Sequence, residues 1–291
     1  MIQTLVDGLV IGGVYAIIAI GLTLIFGVMR VINMAHGEFV MIGMFVSYFL
    51  FTMTGLDPFI STLISAPVCF IIGFLLYKGF VEKAKRISEE NTLLLTAGAG
   101  IFIINVMALP FLLGPNYIRL SGEGLYWENN VWHLGNVSIN AALATGFIVT
   151  AILIALLHFL LTKTDLGLAI RASAQMPMAA KIVGVNVSFI SAFTFGLGSA
   201  FAGVAGSILA TNYPIYASIG ALFLVKAFII VVLGGMGSIP GAAIGGLILG
   251  ITENFGSMYF PDGSSYRDAF GLVIFLIVLL YRPQGLFGRG I

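Results

Sequence analysis

Long stretches without a charged residue constrain this chain more than any other feature. Seven of them approach or exceed the roughly 18 to 20 apolar residues that span the hydrocarbon of a bilayer. They cover residues 8–29, 39–56, 58–77, 91–118, 129–162, 182–225 and 227–252. Charged residues are only 9% of the 291, too few to cover a surface in water. The sequence therefore predicts an all-α fold, a polytopic transmembrane helical bundle.

Charged and Pro/Gly-rich breaks divide this single domain, residues 1–291, into about eight or nine membrane segments. The predicted segments are 8–29, 36–54, 59–78, 91–113, 139–162, 187–211, 219–235, 241–256 and 265–282. The seventh and eighth are short, so they are predicted either to cross fully or to re-enter from one face. The first apolar run has no basic leader and no cleavage site, so we expect it to be retained as a span.

Lysine and arginine fall mainly on one side of the predicted bundle. Two of them, Arg119 and Arg267, fall on the other side. The basic side collects Arg30, Lys78, Lys83, Lys85, Arg86, Lys163, Arg171, Lys181, Arg282 and Arg289. Cytoplasmic loops carry such an excess. We therefore expect the N-terminus outside and the C-terminus cytoplasmic if nine segments cross, with an external loop at residues 114–138.

Glycine is abundant, with 37 residues, and much of it recurs at a spacing of four. Gly8 and Gly12 are one such pair, and Gly246 and Gly250 are another. Small residues at this spacing let helix backbones touch. Close packing is the simpler explanation, and sliding or tilting of helices is the alternative. The glycines predicted to act in packing or as a hinge are Gly234, Gly235, Gly237, Gly241 and Gly245.

Two charges, Lys226 and Glu253, lie deepest in the predicted hydrocarbon. An unpaired charge there is costly, which favours an intramembrane ion pair. Snorkelling, contact with another subunit, a wet cavity and a proton relay are the alternatives. If the two side chains pair, exchanging them should rescue assembly better than either single change.

The usual chemical motifs are missing. The sequence has no phosphate-binding loop, no paired Cys or His at the spacing of metal ligands and no nucleophile elbow. The net charge of +1 gives no argument for nucleic acid. We therefore expect neither an enzyme, nor a metal site, nor a cofactor bound by this chain.

A polar cytoplasmic segment, residues 163–186, interrupts the apolar runs. Pro177 suits the first turn of a short helix, Ala179 and Ala180 continue it, and Gly184 ends it. The helix is predicted either to rest on lipid headgroups or to dock a soluble partner.

Four blocks in this sequence resemble the permease family of branched-chain amino acid ABC importers. They are GLTLIFGVMRVINMAHGEF (21–39), AIRASAQMPMAAKIVGVNV (169–187), LVKAFIIVVLGGMGSIPGAAIGG (224–246) and YRPQGLFG (281–288). The resemblance implies a type II importer fold in a bacterial inner membrane, a second permease, a substrate-binding protein outside, and two ATPase subunits that bind ATP and Mg. The segment around 172–184 would then couple to the ATPases, with these residues: Arg171, Ala172, Met176, Pro177, Ala179, Ala180, Lys181 and Gly184.

The polar cluster Asn33, His36, Gly37 and Glu38 has two interpretations. Asn33 suits a helix N-cap at the cytoplasmic interface, with the Glu38 charge near the positive helix end. Alternatively, the cluster faces the translocation path and offers hydrogen bonds to a zwitterionic substrate. The resemblance implies branched-chain or hydrophobic amino acids as cargo. Urea, short amides and other amino acids remain open, as do an ion-coupled transporter and a channel.

Overall fold

The apolar runs form long helices. The computed structural model describes residues 1–109, 112, 117–121, 126–127, 130–135 and 137–288. Arg289 and much of the predicted external loop 114–138 lie outside the described residues. Apart from turns and one short hairpin, the described part is helical, so the predicted all-α fold is confirmed.

The helix bounds follow the predicted segments closely. They are α1 (Ile2–Met29), α2 (His36–Thr54), α3 (Pro58–Leu76), α4 (Glu82–Lys85), α5 (Glu89–Met107), α6 (Ala141–Lys163), α7 (Asp165–Gln175), α8 (Pro177–Ile182), α9 (Val187–Leu209), α10 (Ile219–Gly234), α11 (Ile239–Tyr259) and α12 (Arg267–Tyr281). A π-helical turn, Tyr77–Val81, joins α3 to α4. The strands β1 (Val131–Leu134) and β2 (Val137–Asn140) pair antiparallel just before α6.

The number of full crossings depends on three helices near the C-terminus. Six helical stretches of the described chain are long and apolar enough to span a membrane: α1, α2, α3 continued through α4, α5, α6 and α9. The helices α10 and α11 pass that test only as a pair, and the pair is bent by 118°. With 15 residues, α12 is shorter than the roughly 20 of an ordinary span. Nine segments are obtained only if α10, α11 and α12 are each counted as a separate membrane segment.

The first helix is the centre of the bundle. It is apolar on all sides and almost completely buried, as expected for a helix surrounded by other helices. Gly8 lies against the backbone at Gly250, and Gly12 lies against that at Gly246, so α1 and α11 run antiparallel in close contact. A side chain at these positions would meet the opposing backbone. The predicted packing role of the glycines in these two pairs is confirmed.

Helix α9 forms a second seam with α2 and α3. Gly203 of α9 lies against Gly43 of α2, where a Cβ would overlap the opposing backbone. About one helical turn further along α9, the Ser207 hydroxyl donates to the carbonyl oxygen of Gly43 at 3.1 Å and lies 2.8 Å from the hydroxyl of Ser65 in α3. Hydrogen bonds between helices are one of the forces that hold bundles together in lipid.

The two ends of the bundle differ in character. The end that carries α7 and α8, here called the basic end, also holds Arg30, which shares a groove with Ala174 of α7 and with Pro283 and Gln284. The opposite end, here called the hairpin end, carries β1 and β2. Met1 lies there beside Tyr259 and Phe260, whereas Gly288 packs on Gly235 at the basic end. The first and last described residues therefore lie at opposite ends.

Candidate functional site

The chain turns back into the bundle between α1 and α2. Arg30 ends α1 in the left-handed conformation, with φ of 55°. The next residues run back along α1, so that the His36 ring nitrogen Nε2 donates to the carbonyl oxygen of Ile18 at 2.9 Å. Ile18 is eleven residues before Met29, about 16 Å along a helix. Helix α2 therefore begins deep inside the bundle and not at a membrane surface.

This placement corrects the expected N-cap. The N-cap of α2 is Ala35, which has no side chain able to cap, and not Asn33. The Asn33 side-chain oxygen accepts from the amide N–H of Ala35 at 3.1 Å, within a turn that precedes the helix. A short Asn side chain stabilises such local turns as readily as helix starts. The sequence pattern could not distinguish the two, and the expected position at the cytoplasmic interface was also wrong.

Polar atoms in the segment between α1 and α2 are left without partners. Asn33 Nδ2, His36 Nδ1 and Glu38 Oε2 are buried and form no hydrogen bond with the described residues. Each such group costs about 1 to 3 kcal/mol. Because His36 Nε2 donates, Nδ1 of the neutral ring is an acceptor. The segment thus offers one donor and two acceptors at a depth where the bilayer offers none.

Helix α10 begins beside the Glu38 carboxylate. The carboxylate lies against Gly220, the second residue of α10, and Gly37 packs on the same glycine's backbone. The side of Glu38 away from α10 approaches Gly100 of α5. Two helices therefore start near each other inside the bundle, with a carboxylate at the positive end of α10. The contact between Glu38 and Gly220 was not predicted from the sequence, because the two residues lie far apart along the chain.

The structure brings Lys226 and Glu253 together and adds two further charges. Lys226 Nζ donates to Glu253 Oε1 and, at 2.6 Å, to Asp268 Oδ1 of α12. Arg267 Nε lies 3.4 Å from Glu253 Oε2. The Lys226 ammonium also lies 5.0 Å from the ring centre of Tyr15 in α1. We call Lys226, Glu253, Arg267 and Asp268 the charge cluster.

The charge cluster changes the expected result of exchanging Lys226 and Glu253. A glutamate at position 226 would face Asp268, and a lysine at position 253 would face Arg267. Like charges would then meet at both ends of the pair. The exchange is therefore expected to fail, because α12 contributes two charges that the spacing of the pair did not reveal.

The predicted hinge glycines surround the bend between α10 and α11. Gly235 and Gly237 have φ of 100° and 84°, which side chains rarely adopt. Gly234 packs directly on the backbone of Gly241, and Gly245 approaches the carbonyl of Ile230. The glycines thus permit a sharp bend and close contact of its two arms. Whether the bend moves stays a prediction.

The polar segment 163–186 forms two helices. The predicted short helix is present as α8, which begins at Pro177 and is followed by Gly184 with φ of 89°. Ala180 is buried, whereas Met176, Met178, Ile182 and Val183 are 68% to 82% exposed. We call these four residues the α8 patch. Arg171, Ala172 and the rest of α7 connect it to α1, α6 and α9.

These features define a class of protein before any comparison is made. Long apolar helices, non-helical backbone at membrane depth, a bent helix pair and buried charges together are typical of multi-pass membrane transport proteins. Among the described residues, no three His, Cys, Asp or Glu side chains are grouped to hold a metal ion.

Comparison with known proteins gives the family. The sequence model described as branched-chain amino acid transport system / permease component matches residues 4–279. The chain is 35% identical over 311 residues to the high-affinity branched-chain amino acid transport system permease protein BraD of Pseudomonas aeruginosa, covering 99% of this chain and 96% of BraD. It is 35% identical over 302 residues to the corresponding LivH of Escherichia coli, with the same coverage. The chain belongs to this family of permease components.

A second group of relatives is more distant. The permease protein LivM of Salmonella typhimurium is 25% identical over 294 residues, covering 94% of this chain and 67% of LivM. The same organism has a LivH that is 34% identical over 306 residues. The chain is thus similar to two different permease proteins of one organism, and it is more similar to LivH than to LivM.

Proposed function

We propose that this chain forms one half of the translocation path of an ATP-driven importer for branched-chain or other hydrophobic amino acids. The names of its relatives support that cargo. The observation that carries the proposal is the start of α2 inside the bundle, where Asn33, His36 and Glu38 keep unpartnered polar atoms. Non-helical backbone at such depth is tolerated where it lines a cavity or is covered by protein.

The polar groups of the segment suit a passing zwitterion. The Glu38 carboxylate would meet the ammonium group, and the Asn33 amide would donate to the carboxylate. Few and weak contacts favour release, because conduction needs a site that the cargo can leave. Gly37 and Gly220 let the backbones of α2 and α10 lie in direct contact beside these polar groups.

The other half of the path would come from a second permease. LivH and LivM of Salmonella typhimurium are both named as permease proteins of a high-affinity branched-chain amino acid transport system. By analogy, we propose a heterodimer in which this chain takes the LivH position. Exposed apolar faces on α3, α5 and α6 are available to contact the partner or lipid.

ATP hydrolysis would be coupled to transport through the α8 patch. The α8 patch is exposed and apolar, and it lies at the basic end, near Arg171 and Lys181 in the sequence. Exposed apolar patches with a polar surround mark binding surfaces. We propose that ATPase subunits dock there and that they bind ATP and Mg. The basic end is then cytoplasmic, and an external binding protein delivers cargo at the hairpin end, in a bacterial inner membrane.

Reconstitution tests this proposal. The complex purified through this chain is placed in proteoliposomes, and uptake of labelled leucine is measured with and without ATP and the binding protein. We expect uptake that requires both. Uptake by this chain alone would instead support an ion-coupled transporter or a channel. ATP-dependent uptake of labelled urea or labelled short amides, with no uptake of labelled leucine, would overturn the proposed cargo.

A pair of variants tests the docking site. Ile182→Asp places a charge in the α8 patch, where the residue is 82% exposed. We expect loss of ATP-dependent uptake and of ATPase copurification, with the permease still folded. The matched control is Ile87→Asp, whose residue is 75% exposed outside α8. Equal effects of the two variants would contradict docking at the α8 patch.

A further inference from the structure

A polar cavity opens at the hairpin end, away from the segment between α1 and α2. Its volume is about 590 Å³, within the usual range for small-ligand sites. Its walls come from α1, the hairpin, α6, α11, α12 and the link between α9 and α10. Among its lining residues are one acid, Asp7, and one base, Arg267, together with the apolar side chains of Ile11, Val131 and Leu143.

Asp7 is held in place but keeps its charge unpaired. Both of its carboxylate oxygens lie 2.9 Å from Gln3 Nε2. Gln3 is itself fixed, because its amide bonds to the backbone oxygen and nitrogen of Ser138 in β2. Asp7 has no cationic partner among the described residues. Each carboxylate oxygen has a further lone pair available, so Asp7 can accept from an ammonium group in the cavity.

Arg267, the first residue of α12, lines the same cavity. Only its Nε approaches a described acid, Glu253 Oε2 at 3.4 Å. A guanidinium has five N–H donors in a planar fork that matches a carboxylate. The side chain is 33% exposed, so the remaining donors are within reach of a ligand.

One face of α1 lines the cavity and continues beyond it towards the centre of the bundle. Gln3, Asp7, Ile11 and Tyr15 recur at the spacing of four that places side chains on a common helix face. Tyr213 lines the cavity, and its hydroxyl lies 2.8 Å from that of Tyr15. Tyr15 is completely buried, so the two tyrosines close the inner end of the cavity.

We propose that this cavity binds a free α-amino acid with an apolar side chain. Arg267 takes the carboxylate, Asp7 takes the ammonium, and Ile11, Val131 and Leu143 contact the side chain. The amino acid as ligand rests on the proposed function. A macromolecular partner is less well matched, because the two opposite charges and the apolar wall are gathered in one small concave space.

Binding of ligand analogues to the intact complex tests the assignment. Saturation-transfer NMR on the complex in nanodiscs, without the binding protein, is run with leucine, with leucinamide and with 4-methylpentanoate. The first analogue lacks the carboxylate and the second lacks the ammonium group. We expect leucine to bind at least about tenfold more tightly than either analogue, since each analogue loses one charge-assisted contact.

Two variants assign the contacts. Asp7→Asn should weaken leucine binding about tenfold and leave 4-methylpentanoate unchanged, whereas Arg267→Gln should weaken leucine and leave leucinamide unchanged. Asp7→Glu and Arg267→Lys should retain part of the binding, and Lys83→Gln, an exposed change at the basic end, should have no effect. Since Arg267 also contacts Glu253, Asp7→Asn decides the outcome if Arg267→Gln fails to fold.

The outcomes separate this inference from the proposed function. Absence of ATP-dependent leucine uptake by the wild-type complex would count against the proposed function. Normal uptake together with no leucine binding, or with binding unchanged in Asp7→Asn, would overturn the cavity assignment alone. Loss of binding-protein association in these variants, with leucine binding intact, would overturn it in favour of a docking surface.

Discussion

Removing the Lys226 charge should destabilise the protein more than removing either of the two carboxylates that contact it. Lys226 and Glu253 side chains are 4% and 1% exposed, so neither can turn to water. Lys226→Met leaves Glu253 with Arg267 as its remaining partner, while Asp268, 61% exposed, becomes hydrated. Breaking a buried pair costs about 3 to 5 kcal/mol. Because Arg267 remains, we expect the lower limit, about 3 kcal/mol.

The other members of the charge cluster set a ranking. Glu253→Gln leaves Lys226 bonded to Asp268, so we expect a loss of about 2 kcal/mol, the value of a hydrogen bond to a charged group. Asp268→Asn should cost less than about 1 kcal/mol, because this carboxylate is mostly in water. Replacing both buried charges, in Lys226→Met with Glu253→Leu, should recover most of the loss.

The assay is reversible unfolding in mixed detergent micelles, followed by tryptophan fluorescence for each variant and for the reciprocal exchange of Lys226 and Glu253. We expect the exchange to be less stable than Glu253→Gln alone. A wild-type midpoint for Lys226→Met, or for the exchange, would refute it. Such a result would mean that the charges are hydrated or paired elsewhere in the assembled protein.

Two further predictions concern glycines, each with a matched control. Gly43→Ala places a Cβ on the backbone of Gly203 and should lower the free energy of unfolding by about 1 to 3 kcal/mol. The control Gly98→Ala, in open space on α5, should not lower it. Equal losses in the two variants would contradict the seam between α2 and α9. Gly235→Ala combines a φ of 100° with overlap on Gly288 and should abolish assembly of the complex, scored by size-exclusion chromatography. Gly184→Ala has a similar φ but free space, so it should cost only about 1 kcal/mol; the same loss at both positions would mean that backbone strain alone matters.

The helices themselves were accessible from the sequence for a simple reason. Apolar runs bounded by charges or caps indicate where the backbone N–H and C=O groups must form hydrogen bonds within the segment, as in a helix. Accordingly, α2, α9 and α10 begin at the predicted residues. Pro177 likewise marked the start of α8, since proline is well tolerated at the first helical position. These signals depend on residues that are neighbours in the sequence, so they can be recognised without knowledge of the tertiary contacts.

Depth and tertiary partners were not accessible in the same way. Hydropathy does not reveal that residues 31–35 run back along α1. Hydropathy depends only on the composition of the segment, which is the same whether the segment lies at mid-depth or at an interface. Asp268 and Arg267 reach the charge cluster only because α12 packs beside α10 and α11. The spacing of Asp7 and Arg267 along the chain, likewise, says nothing about their sharing a cavity.

Water access to the segment between α1 and α2 is the decisive measurement for a translocation path past the start of α2. Met34 is 39% exposed, and its amide N–H donates to Thr96 Oγ1 of α5. Leu94 is two residues before Thr96 on α5 and is 72% exposed, so it serves as the control position. In a background with Cys69→Ser, each position is changed to cysteine and treated with a charged, water-soluble thiol reagent in the reconstituted complex. We expect Met34→Cys to be labelled, the rate of its labelling to change when leucine and ATP are added, and Leu94→Cys to resist labelling. Labelling of Leu94→Cys alone, or of neither variant, would contradict a path that passes the start of α2.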